Sequence, residues 1–237
     1  MDDMPEAGSG APSSVMAEMS MGLTMNMSAA LFLGVWIAMM VAMMFPTAAP
    51  MILAFARIQG SREAKGQVFV PTWLFIFAYL TLWSAMGMLA FLGASTADSL
   101  AEDSAWLLDN AGRIGGAVLI IAGLYQLSPW KNRCLVQCRT PMGFIMTRWK
   151  EGRFGAVRMG LEHGAYCLGC CWFLFVILFP LGMMNVAALA LVTLLIFAEK
   201  ALAIGERVAR FAAVGLIGYG ALVMIALPGA LPTSMTI

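Results

Sequence analysis

The stretch AALFLGVWIAMMVAMMFPTAAPMILAFA, residues 29–56, decides what kind of protein this is. It carries no charged side chain, and it exceeds the roughly 20 mainly apolar residues that a helix needs to cross the hydrocarbon of a bilayer. Five further windows, at about 72–94, 112–128, 160–181, 186–204 and 211–231, meet or approach the same requirement. With 61% of 237 residues hydrophobic and only 11% charged, the composition is far from that of a soluble globular domain. The expected fold is an all-α polytopic bundle of six transmembrane helices in a lipid bilayer. Residues 1–28 read as a mobile, Met-rich outer segment, 29–231 as the transmembrane domain with a cytoplasmic loop at 129–159, and 232–237 as a short outer tail. Pro46 and Pro50 are expected to kink or break the first helix, because proline lacks the amide proton and its ring collides with the preceding turn. The backbone groups they free need partners inside the bundle.

Charge gives the orientation. Arg57, Arg62 and Lys65 follow the first span, and Lys131, Arg133, Arg139, Arg148, Lys150, Arg153 and Arg158 follow the third. Lys200, Arg207 and Arg210 lie at the fifth-to-sixth connection. All these fall on one side of a six-span chain, leaving Arg113 alone on the other with Asp98, Glu102, Asp103 and Asp109. The positive-inside rule then places both termini outside. The first 28 residues begin with acids and lack a basic region followed by an apolar one, so they do not read as a secretory signal. In the loop, Trp130, Phe144 and Trp149 with the basic residues suggest a segment lying along the membrane surface. No soluble domain and no nucleotide-binding glycine loop is visible, and nothing points to nucleic acid. Gly112/Gly116 and Gly160/Gly164 offer small faces for close helix packing.

The chemistry concentrates in HGAYCLGCCW, residues 163–172, which holds the single histidine and three of the five cysteines. Residues three or four apart share a helix face, so His163, Cys167, Cys170 and Cys171 form one stripe about two turns long. Thiolate and imidazole suit Cu(I), zinc or iron, with thiolate best matched to soft Cu(I). The bland reading is a packed histidine with cysteines as small hydrophobes. An odd number of cysteines near a reducing face argues against a disulfide framework. Cys134 and Cys138, in CxxxC spacing, lie in the loop that leads back to the same face. Arg133 and Arg139 beside them would favour thiolate forms.

Methionine supplies a third set. Met39, Met40, Met43 and Met44 make two i,i+4 pairs before Pro46, Met86 and Met88 lie in the second span, and Met183 and Met184 close the fourth. Five more, from Met16 to Met27, stud the outer segment. Met is often only a flexible core filler. Yet 21 methionines is a high count, and thioethers bind Cu(I) without losing a proton. Glu199 and Lys200 are ionisable residues inside an apolar run. Glu199 is a candidate carboxylate ligand, proton acceptor or supporting partner of His163, and Lys200 has an equal claim to extend to the headgroups. Tyr125, Gln126, Tyr166 and Asn185 can add interhelical hydrogen bonds.

The segments MMVAMMFPTAAP, YQLSPWKNRCLVQCRTP, HGAYCLGCCW, GMMN and the AEK of the fifth span together resemble a bacterial domain-of-unknown-function family of predicted metal-binding integral membrane proteins. The resemblance covers most of the chain and implies a metal site in the bacterial inner membrane, without naming a reaction. The leading expectation is a protein that transports, stores or delivers copper and exchanges it with a donor or acceptor protein. The alternatives are an accessory subunit of a larger membrane metalloenzyme, a homo-oligomer included, and a membrane thiol oxidoreductase with Cys170 or Cys171 as nucleophile. No quinone or flavin motif accompanies the last, which leaves catalysis the weaker reading.

Overall fold

The structure is a computed structural model and describes residue 24 and residues 27–104, 106–107, 110–182 and 185–225. The principal helices are α1 (Ala29–Ala64), α2 (Thr72–Asp103), α3 (Ala111–Gln126), α4 (Pro129–Arg139), α5 (Pro141–Arg148), α6 (Gly152–Val176), α7 (Leu178–Leu181), α8 (Val186–Ala201) and α9 (Gly205–Ile225). No strand occurs among the described residues.

Four units are long and apolar enough to cross a membrane: α1, α2, α6 together with α7, and α9. A fifth exists if α3 and α4, bent by 63° at their junction, count as one broken span. The expected third and fifth windows are thus shorter than the sequence suggests, each a helix of 16 residues. At the first of these ends, Pro129 forces Ser128 into extended backbone (φ −67°, ψ 137°), so α3 stops. The Ser128 hydroxyl then accepts from the Trp130 amide and starts α4. At the second, Leu202 is extended (φ −89°, ψ 144°) and ends α8.

The first helix begins where Ser28 caps it, its hydroxyl accepting from the Leu31 amide. It continues through Pro46 and Pro50 without a break. The Thr47 hydroxyl donates to the Met44 carbonyl at 2.9 Å in this stretch. Just ahead of the helix, the backbone and hydroxyl of Thr24 both donate to Asp98 on α2.

The region expected as a partly interfacial loop, 129–159, is instead α4, α5 and the start of α6. α4 folds back on α6, burying Lys131 and Leu135. Phe144 of α5 is fully buried beside Phe55, Phe75 and Met159. Leu135, Phe144 and Ile145 pack inward from this region, whereas Met142, Met146 and Phe154 stay exposed. Trp130 is likewise exposed, and Trp149 packs at a tilt against Phe55 under the Arg62 guanidinium.

Two helix pairs pack through glycine. A Cβ on Gly116 or Gly123 of α3 would lie 2.9 Å from the carbonyl of Gly220 or Ala213 on α9. On α6, a Cβ on Gly160 would strike the Phe75 carbonyl of α2, and one on Gly164 would lie 2.9 Å from Leu82. Without side chains at these points the backbones approach closely, which is how helices associate in lipid. Large apolar side chains stay exposed around the bundle, among them Phe77, Leu89 and Leu92 on α2, Leu191 and Leu194 on α8, and Phe211 and Val214 on α9. Exposed apolar surface of this extent, on helices long and apolar enough to cross a membrane, is compatible with a membrane location.

Candidate metal centre

α6 carries His163, Cys167, Cys170 and Cys171 into the interior, all four buried. The glycine contacts that seat α6 on α2 bring Tyr79 to this stripe, where its hydroxyl and the Cys167 thiol are 3.2 Å apart. From α1, the Met44 sulfur lies 3.9 Å from Cys167 Sγ. From α4, Cys138 Sγ lies 3.9 Å from Cys170 Sγ. Cys170 and Cys171 donate to the Cys167 carbonyl at 3.1 Å and 2.8 Å, so both thiols fold back on their own helix. Four sulfurs from three helices therefore meet around Cys167. Among the described residues, no three His, Cys, Asp or Glu side chains form a ready-made chelate. The soft donors are gathered, and the fourth contact is a thioether.

The cation at this cluster is Lys200. Its ammonium donates to Cys167 Sγ at 3.1 Å and to the Thr47 hydroxyl at 3.5 Å, with the residue only 9% exposed. It does not extend to the headgroups. Arg139, whose charge the sequence places beside the loop thiols, instead donates to the Leu202 carbonyl at 2.7 Å and so covers the end of α8.

Glu199, next in sequence to Lys200, points elsewhere because successive helical residues diverge by about 100°. Its carboxylate accepts from Lys131 Nζ at 2.6 Å and from Gln126 Nε2 at 2.8 Å. Lys131 and Glu199 are both almost completely buried, at 1% and 2% exposed. Gln126 ends α3 and Lys131 begins α4, so one carboxylate grips both sides of the 63° bend. A buried ion pair offsets its desolvation only when further hydrogen bonds satisfy it, and Gln126 supplies one.

His163 lies one turn before Cys167 on the same buried stripe of α6, among aromatic rings. Its ring is boxed by Phe75, Tyr79 and Phe144, with centroids at 5.9, 5.9 and 5.6 Å. Its Nδ1 is buried without a hydrogen-bond partner among the described residues. The expected support from Glu199 is absent there, since that carboxylate is committed to Lys131 and Gln126. A buried imidazole nitrogen without a partner is costly, and it leaves a donor free for a ligand.

The other candidates distribute as follows. Met40, Met43 and Met44 are buried in the core and Met39 packs partly against it. Met183, Met184 and the methionines from Met16 to Met25 lie outside the described residues. Cys134 is half-buried, and its Sγ lies 2.7 Å from where a Cβ on Gly169 would stand. Tyr125 donates to the Gly169 carbonyl, holding α3 to the cysteine turn. Tyr166 accepts from Arg148, and Asn185 caps α8. Sequence reasoning did not single out Tyr79, Thr47 or Lys131 for the site. Two charges inside IFAEKA were a signal for the α8 pair, whereas Tyr79 and Thr47 carry none.

No curated protein and no solved structure matches the chain. A family model described as a copper chaperone, PpoB2, matches residues 33–223, from α1 through most of α9 and including every cysteine and the histidine. The chain belongs to this copper chaperone family.

Proposed function

We propose that this protein is an integral membrane copper carrier that binds Cu(I) as cargo at the sulfur cluster around Cys167 and passes it to an acceptor protein. The observation that carries this reading is the meeting of Cys138 from α4 with Cys170 from α6, their sulfurs 3.9 Å apart, beside Cys167 and the Met44 thioether. A soft ion bridging two sulfurs at roughly 2.3 Å each spans no more than about 4.6 Å, so a small rotation about the cysteine side-chain bonds admits it. Thiolate and thioether together select Cu(I) over harder ions. The arm α4, carrying two of the five cysteines and held by the Lys131–Glu199 pair, forms one wall of the site next to the basic face. With the 16-residue helices α3 and α8 each counted as a crossing, six spans put that face in the cytoplasm by the positive-inside rule, in a bacterial inner membrane with both termini outside. The Met-rich segment before α1 supplies thioethers on the other side, and the methionines of α1 lead from it to Met44 at the cluster. Thr24 and Met27 bring the end of that segment onto the bundle.

The test is copper content. The full chain, purified anaerobically in mild detergent after growth with copper, is expected to hold Cu(I), with X-ray absorption reporting sulfur neighbours. Serine at Cys167, Cys170 and Cys138 is expected to remove it. Copper-free protein under these conditions refutes the reading. The same short Cys138–Cys170 contact favours one other reading, a thiol–disulfide exchanger, and trapping with an alkylating agent would then find an interconverting disulfide with no protection by copper.

A further inference from the structure

The interior has an unbalanced charge that the copper reading alone does not explain. The buried ionisable side chains among the described residues, cysteines and tyrosine aside, are Lys131, His163, Glu199 and Lys200. The single carboxylate in that set, Glu199, already neutralises Lys131 and accepts from Gln126. Lys200 is therefore a buried ammonium with no carboxylate in its contacts, and its partners are the Cys167 sulfur and the Thr47 hydroxyl. An uncompensated ion in a low-dielectric interior is costly, so such a cation needs an anion at contact distance.

From this we infer that Lys200 is the built-in counter-cation of the copper site, and that it makes the site selective by charge for a monovalent metal held by two thiolates. With two of the cluster's cysteines ionised and its other sulfurs, the third thiol and the Met44 thioether, acting as neutral donors, Cu(I) makes a complex of charge −1, and the Lys200 ammonium beside it brings the whole to zero. Two thiolates and Zn(II) are already neutral, so the same ammonium leaves an excess positive charge buried in the bundle. The placement serves this end. Lys200 reaches the cluster from α8, while the sulfurs come from α1, α4 and α6, so the charge sits against Cys167 without taking the places of Cys138 and Cys170 across the cluster. Thr47 holds the ammonium from the other side: its hydroxyl donates to the Met44 carbonyl and so presents a lone pair to Nζ. This inference rests on the copper reading above, since it assigns a role at the same site. It requires no proton transfer by Lys200, only the presence of its charge.

Lys200→Met keeps the length and removes the charge, while Lys200→Arg keeps the charge. Cu(I) affinity of the detergent-purified full chain would be read by competition with a chromophoric Cu(I) chelator, and Zn(II) affinity by competition with a zinc dye. Unit charges 3–4 Å apart attract strongly even at an effective dielectric constant near 20. The expected loss of Cu(I) affinity in Lys200→Met is accordingly about a hundredfold or more, with Zn(II) affinity unchanged or higher, so that the ratio of the two collapses. Lys200→Arg is expected to restore the ratio to within about tenfold of wild type. A merely structural lysine would lower both affinities together, and that outcome overturns the inference. So does Lys200→Met protein that binds Cu(I) as well as wild type or more tightly, the latter because the ammonium would then be competing with the metal. Wild-type protein that binds no Cu(I) overturns the copper reading itself, and the inference with it. Melting temperature and elution volume of each variant show whether a loss reflects misfolding, and Lys200→Gln, which also removes the charge but keeps a polar end for Thr47, carries the test if the Met variant does not fold.

Discussion

Replacing Lys131 by Met should open the bend between α3 and α4. The Lys131–Glu199 pair is 2.6 Å long with both side chains 2% exposed, and Gln126 holds the second carboxylate oxygen. Removing the ammonium leaves Glu199 as a buried carboxylate with one neutral donor. Deleting one partner of a buried pair costs about 3–5 kcal/mol. For a chain of this size each kcal/mol lowers the melting temperature by about 2–4 °C, so a fall on the order of 10 °C is expected. The double variant Lys131→Met/Glu199→Leu removes both charges and should recover more than half of it, since an apolar pair carries no desolvation debt. The functional consequence is local: α4 carries Cys134 and Cys138, so freeing it should raise the rate at which a maleimide labels Cys138 in the metal-free protein. The assay is thermal unfolding in detergent with timed labelling of a variant retaining Cys138 as its single cysteine. Wild-type melting and wild-type labelling in Lys131→Met would refute the reasoning, because they would place the pair in water, where an ion pair contributes at most about 1 kcal/mol.

Three other outcomes follow from the same geometry. His163→Phe should be neutral or raise stability by about 1–3 kcal/mol, because it removes a buried nitrogen without a partner from an aromatic box; the same substitution lowers copper affinity only if the imidazole is a ligand, so melting and copper titration together read its role. Gly160→Ala should destabilise by about 1–3 kcal/mol, since the new methyl meets the rigid backbone of Phe75, whereas Gly218→Ala, with open space around it, should leave the melting temperature unchanged or raise it. Cys138→Ser should cost far more copper than Cys134→Ser, because the Cys138 sulfur contacts Cys170 while Cys134 packs against Gly169; equal losses on titration with Cu(I) would contradict this.

Particular elements show what could be read before the structure was in hand. The apolar length of 29–56 announced α1. The spacing of HxxxCxxCC put four side chains on one buried stripe of α6, and the small faces at Gly160/Gly164 and Gly116 proved to be helix contacts. Two windows were overestimated because hydropathy counts residues without seeing where backbone turns: Pro129 ends α3, and extended Leu202 ends α8. The region 129–159 proved helical rather than a loop, with Trp130, Met142, Met146 and Phe154 exposed. Its basic side chains suggested a surface, but Leu135, Phe144 and Ile145 turned inward.

The sequence alone determined the helical class and the soft-ligand stripe, because these depend on spacing along a single helix, where geometry repeats every turn. Pairing across helices was decided only by the tertiary structure. Glu199 and Lys200 are neighbours in the chain, yet one closes on Lys131 and Gln126 and the other on Cys167 and Thr47. Their side chains leave α8 in different directions, and in a low-dielectric interior each charge settles against whatever complementary group the neighbouring helices bring within contact. Which groups those are depends on where a bend, a glycine contact and a helix end fall in three dimensions.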